Sequence, residues 1–89
     1  MIRDWVDDTE DVFTEINGEL VRAIDKHTFD ATPMNPFKDL RDSYIILAEE
    51  VGEVARALTY DEGDADNLEH ELIQVAAMAV AMVVGMRNM

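Results

Sequence analysis

Apolar residues recur every three or four positions along three stretches of this chain, the spacing that gives a helix one stripe shielded from water. In the middle stretch, LRDSYIILAEEVGEVARAL from Leu40 to Leu58, the stripe is Leu40, Tyr44, Leu47, Val51, Val54, Ala55 and Leu58. A central helix that buries this stripe is expected. Upstream, Trp5, Val12, Phe13, Ile16, Leu20 and Ile24 share one face of a helix expected from Asp4 to about His27, with acids mostly on the opposite face. Asp4 is the expected N-cap. Asp7, Asp8 and Glu10 suit the positive end of the helix dipole, and Arg22, Lys26 and His27 its negative end.

The third stretch reads as a helix from Asn67 to about Arg87, and from Val75 to Met86 every residue is apolar or glycine. That run falls short of the roughly 20 residues a bilayer requires. A helix apolar all round must be covered on every side, and two other helices leave part of the cover to a second copy of the chain. Ala76, Ala77, Ala79 and Ala81 permit close approach, while Met78, Met82 and Met86 fill gaps. The expected fold class is all-α, a single domain over residues 1–89 with three long helices per chain and a dimeric core of four-helix-bundle type.

Two breaks separate the helices. Thr28 to Asn35, with Pro33 and Pro36, is a loop, and Asn35-Pro36 reads as an N-cap followed by proline at the first helical position. Lys38 would then sit in a first turn, where the dipole disfavours a cation and a phosphate would neutralise it. The second break, DEGDAD from Asp61 to Asp66, offers Asp64 and Asp66 as N-caps. It lacks the spacing of a twelve-residue calcium loop.

Charge narrows the partners. With 20 acidic and 7 basic side chains in 89 residues, the formal net charge is -13, which repels nucleic-acid polymers and anionic membranes. A hydrophobic share of 48% is nonetheless ample for a folded domain. The absence of cysteine removes disulfide and thiolate chemistry. Asp4, Asp7, Asp8, Glu10 and Asp11 replace the basic-then-apolar pattern of a signal peptide, so a cytoplasmic location is expected.

The candidate chemistry lies in the central helix. At about 100° per residue, Glu50 and Glu53 share a row with Ile46 and Ala57 beside the apolar stripe, while Glu49 points nearly opposite it. Glu71 and Gln74 repeat the same spacing in a row with Asn67 and Met78. Antiparallel packing of the second and third helices brings Glu50, Glu53 and Glu71 within reach of one ion, and hard oxygen ligands suit Mg²⁺. The bland alternative is a solvated acidic edge relieved by Arg56 or Lys38. His70 points about 100° away from Glu71 and reads as surface. Trp5, Phe13, Phe29, Phe37, Tyr44 and Tyr60 could stack on a ligand, although core positions account for most of them.

KDLRDSYIILAEEVGEVARAL followed by ELIQVAAMAVAM resembles the MazG-like all-α nucleoside triphosphate pyrophosphohydrolases, marked by Glu-Glu-x-x-Glu, a spacer and Glu-x-x-Asp. The resemblance covers Lys38 to about Met82, half the chain, and Glu49-Glu50-Val51-Gly52-Glu53 fits the first block fully. It implies a Mg²⁺-dependent (or Mn²⁺-dependent) enzyme that converts an NTP or dNTP to the monophosphate and pyrophosphate, working as a homodimer or dimer of dimers. Glu50, Glu53 and Glu71 would then be metal ligands, and Glu49 would orient water or a second ion. Gln74 stands where the family has aspartate. Its amide oxygen can ligate without bringing charge. Lys38 and Arg41 are the nearby cations for substrate phosphates. The alternative on the same resemblance is a helical module that binds a nucleotide or protein partner without hydrolysis.

Overall fold

The computed structural model describes residues 2–59 and 65–89, and the regular structure within them is entirely helical. Helix α1 spans Ile2–His27, α2 spans Leu40–Thr59 and α3 spans Ala65–Arg87, with one 3-10 turn at Phe29–Ala31. The three expected helices are present, but α2 begins at Leu40 and not at Pro36, where the Asn35-Pro36 cap would have started it. Helix α1 starts two residues earlier, so Asp4 lies inside its first turn and is not the cap. Asp66 falls within α3, and Asp64, the other cap candidate, lies outside the described residues together with Tyr60.

Helix α3 is the middle element. Helices α1 and α2 each pack on it and, among the described residues, not on each other. Two flanks of the all-round apolar helix are thereby covered within one chain. Leu68–Arg87 has the length and hydropathy of a membrane-crossing helix, and 17% of that window is buried within the chain. The sequence estimate fell short because Leu68, Leu72 and Ile73 extend the apolar run past Glu71 and Gln74.

The core is small and made mainly of small residues. Ile16, Met34, Ala57, Ala77 and Ala81 are the buried apolar side chains among the described residues. The face that α2 turns inward carries Ser43 and Ala57, with Leu40, Leu47 and Val54 from one edge of the apolar stripe half-buried beside them. Tyr44, Val51 and Leu58, at seven-residue spacing along that stripe, stay 63%, 51% and 61% exposed. On α1, Ile16 is buried as expected, while Trp5 and Phe13 stand in the open. Periodicity identified which faces avoid water; the single chain covers only some of them.

The connection from α1 to α2 determines where α2 begins. Thr28 leaves α1 at φ 71° and ψ 156°, a backbone conformation costly for a β-branched residue. Its N–H still donates to the Ile24 carbonyl at 2.8 Å. Buried Thr32 then donates through Oγ1 to the Phe29 carbonyl at 2.8 Å and accepts from the Met34 N–H at 3.3 Å. Asn35 does not cap α2. Its Oδ1 accepts the Phe37 N–H at 3.0 Å and its carbonyl accepts the Lys38 N–H at 3.1 Å, which closes a turn. Asp39 is the cap, its Oδ1 accepting the Arg41 N–H at 2.8 Å just inside α2. Lys38 therefore precedes the helix instead of sitting in its first turn.

The far end of α3 rests against this connection. Gly85 is buried, and a Cβ there would fall inside the van der Waals shell of the Pro33 carbonyl oxygen. Only hydrogen at that position allows the backbones to approach so closely.

Candidate metal centre

Helical spacing brings three carboxylates together. Glu50 and Glu53 project from α2 one turn apart, and Glu71 meets them from the first half of α3. One carboxylate oxygen from each lies within 4.8 Å of the others, with Glu50 and Glu71 half-buried and Glu53 exposed. At 4.8 Å, the widest separation among them, an ionised pair repels by about 3.5 kcal/mol for an effective dielectric of 20, and water lowers this at Glu53.

The proton affinities record that crowding. Partial burial raises the Glu50 carboxyl above the usual carboxylate range, and the charges of Glu53 and Glu49 raise it further. Burial likewise raises Glu71, as do a proton shared with Glu53 and the charges of Glu53 and Glu50. His70 acts against both shifts. Hard, anionic, mutually repelling oxygens on two rigid helices suit a hard divalent cation. Glu49 is exposed and outside the cluster, near enough for its charge to be felt at Glu50.

Gln74 is engaged through its amide nitrogen. Its Nε2 donates to Glu19 Oε2 at 2.6 Å, tying α3 to α1 across 55 residues of sequence. Glu19 also accepts from the Arg22 guanidinium one turn along α1. Burial pushes the Glu19 carboxyl up, but the bonds from Arg22 and Gln74 and the Arg22 charge outweigh it, and the net shift is downward.

Two spaces open beside the cluster, and Glu50 borders both. One is an apolar cavity of about 230 Å³, walled by residues such as Leu20, Met34, Ile46, Met78 and Ala81. Lys38 lies on its wall, as Glu50 does. The other is a groove of about 670 Å³ lined by Arg22, Lys26, His27 and His70. Arg41 lies on neither. Its side chain is 93% exposed and pairs with Asp39 at 3.7 Å.

Sequence reasoning missed the contribution of α1. The periodicity puts Glu19 among the acids of a solvated face and Arg22, Lys26 and His27 at a helix end, whereas all four line the groove with Glu50, and Glu19 and His27 border the cavity as well. The available signal was the clustering of Arg22, Lys26 and His27 on two turns of an otherwise acidic helix. Comparison of the chain with protein-family models, curated proteins and solved structures finds no match.

Proposed function

We propose that this chain is a homo-oligomeric, Mg²⁺-dependent nucleoside triphosphate pyrophosphohydrolase of the MazG-like all-α type. The reading rests on the convergence of Glu50, Glu53 and Glu71 from two helices to within 4.8 Å. These are the residues that the family resemblance marks as metal ligands. Mn²⁺ would satisfy the same oxygens.

Glu50, Glu53 and Glu71 would hold the ion, which when bound neutralises phosphate charge and makes water a better nucleophile. The groove carries the triphosphate, with Arg22 and Lys26 offsetting its charge. Lys38 reaches the phosphate nearest the cavity. Glu49 orients the attacking water from the solvent side. Water oxygen bonds to the α-phosphorus, the bond to the bridging oxygen breaks, pyrophosphate departs and the water's proton passes to solvent.

A second copy belongs to this reading. The accessible surface is 6564 Å², against roughly 5,300 Å² expected for a folded monomer of 10.1 kDa. The excess surpasses the roughly 800 Å² that each partner buries in an interface of standard size. Tyr44, Val51 and Leu58 on α2, with Leu72, Val80 and Val83 on α3, are the apolar side chains such a partner would cover. The packing of α3 between two amphipathic helices, with Glu71 inside its apolar stretch, supports a cytoplasmic protein over a membrane-spanning one.

One observation favours a binding module without turnover: the Gln74 amide nitrogen is engaged by Glu19, so the candidate ligand set holds three carboxylates. Pyrophosphate release from a panel of NTPs and dNTPs with Mg²⁺ decides between them. Turnover by the wild type and its loss in Glu53→Gln, at unchanged helix content, is the expected result. Activity retained in Glu53→Gln would remove the site assignment, and a folded but inactive wild type would favour the binding module.

A further inference from the structure

Glu19 and Gln74 occupy a position that metal binding does not explain. Both border the apolar cavity and the cationic groove, at the junction of the two spaces, and Glu50 of the carboxylate cluster borders the same junction. Distance along α3 orders these groups. At 1.5 Å rise per residue, Gln74 lies roughly 4.5 Å along the axis beyond Glu71, and Ala81 roughly 15 Å beyond it. The cluster end faces phosphate, the Ala77, Met78 and Ala81 end is apolar, and Glu19 with Gln74 lies between them.

In a nucleotide the sugar lies between phosphate and base. On the proposed hydrolase reading, which this step presupposes, triphosphate in the groove and base in the cavity put the sugar at Glu19. Glu19 is an acceptor with capacity to spare. One oxygen accepts Arg22 and the other accepts Gln74, which leaves each a lone-pair direction for a hydroxyl donor. The two existing bonds fix the carboxylate before any ligand arrives, so little ordering is required on binding.

The base end offers the opposite. Thr32, a hydroxyl on the cavity wall, already has both its roles taken, donating to Phe29 and accepting from Met34. Lys38 on the same wall serves phosphate in the proposed reading, His27 lies at the junction with the groove, and the other side chains away from that junction are aliphatic or thioether. An apolar slot holds any flat ring and distinguishes rings weakly, whereas a placed acceptor penalises a ligand that lacks the matching donor.

We infer that Glu19, clamped by Gln74 and Arg22, is the residue that determines specificity, reading a sugar 3′-hydroxyl and leaving the base largely unread. The substrate class is nucleoside triphosphates with a free 3′-hydroxyl, whatever their base.

The test compares kcat/KM with Mg²⁺ for dATP, dCTP, dGTP and dTTP against their 2′,3′-dideoxy counterparts, in wild type, Glu19→Ala and Glu19→Gln. In wild type each dideoxy substrate should fall about tenfold or more below its deoxy partner, while the four bases stay within about fivefold of one another. Glu19→Ala should bring the deoxy-to-dideoxy ratio towards one, and Glu19→Gln, which keeps one acceptor, should give an intermediate ratio. Equal wild-type rates for deoxy and dideoxy substrates would overturn the inference and leave the hydrolase reading standing. So would strong base selection with a ratio unaffected by Glu19→Ala. If no nucleotide is turned over, the hydrolase reading falls, and calorimetry with thymidine monophosphate and 3′-deoxythymidine monophosphate decides the inference separately. Tenfold weaker binding of the deoxy analogue sustains it; equal binding overturns it.

Discussion

The two halves of α3 meet opposite physical problems. In the first half, Glu71 joins Glu50 and Glu53 in a cluster where burial and neighbouring charge raise the proton affinity of Glu50 and Glu71. In the second, Ala77, Ala81 and Gly85 form a row of minimal side chains, buried where α3 meets its neighbours. One half keeps like charges together against their repulsion, and the other brings backbones to contact distance. A short helix-on-helix core can hold a repelling cluster in place only if its other end is well packed, because, among the described residues, α1 and α2 reach each other only through α3.

The largest effect is expected at the packed end. Gly85→Ala puts a methyl group against the Pro33 carbonyl, where backbone and not a flexible side chain must yield. Overpacking of this kind costs about 1–3 kcal/mol or more, against about 1 kcal/mol gained in helix propensity. In a chain of this size the net loss should lower Tm by several degrees, at about 4–8 °C per kcal/mol. Gly18→Ala is the control, since nothing lies within 4 Å of the added carbon and only the propensity gain remains. A thermal melt showing both variants stabilised would mean that the Pro33 contact does not form.

The difference between these halves bears on what the sequence could disclose. The carboxylate cluster was legible because i, i+3 spacing on two neighbouring helices is local information, and only the packing of α2 on α3 had to be assumed. The inward face of α2 was not. Tyr44, Val51 and Leu58 make the stronger apolar stripe, yet Ser43 and Ala57 face α3 because small side chains let two helices approach, while the larger ones await a different cover. Asn35 and Asp39 are both good caps in isolation, and the choice turned on Asn35 being consumed by its own turn. The Gln74 to Glu19 bond joins residues 55 apart, and no periodicity links them.

The next effect tests the charged half. Glu50 and Glu71 have folded-state proton affinities above their unfolded values, so over the interval above pH 4.5 the folded chain binds more protons than the unfolded chain. Stability from these two groups is therefore present below the unfolded value and is lost as pH rises through the raised folded values. Glu53, Glu49 and His70 surround them, and Glu19 shifts in the opposite sense. Without divalent cations the chain should thus be less stable at pH 7 than these carboxyls allow at pH 5. Mg²⁺ at 100 times its Kd should restore about 2.7 kcal/mol at pH 7 and markedly less at pH 5, where protons compete. Glu71→Gln should raise metal-free stability at pH 7 and remove most of the Mg²⁺ response. Denaturant melts at the two pH values, with and without MgCl₂, read all of this directly. A Mg²⁺ response that survives Glu71→Gln would place the ion outside the cluster.

The smallest effect lies where the two halves are joined through α2. Ser43 sits on the inward face seven residues before Glu50, fully buried, and its hydroxyl has no hydrogen-bond partner among the described residues. An orphaned buried hydroxyl carries a desolvation penalty of about 1–3 kcal/mol, and relief from it offsets the dispersion attraction that one oxygen atom supplied. Ser43→Ala should therefore leave stability unchanged or raise it by up to about 1 kcal/mol, where polar-to-alanine changes at well-bonded buried sites destabilise. The packing of α2 on α3 is then set by the size of the residue at this position and not by its polarity, and Ser43→Val, with the larger side chain, should destabilise where Ser43→Ala does not. A clear loss of stability in Ser43→Ala would mean that the hydroxyl is bonded after all, and that a polar contact near the cluster helps hold α2 against α3.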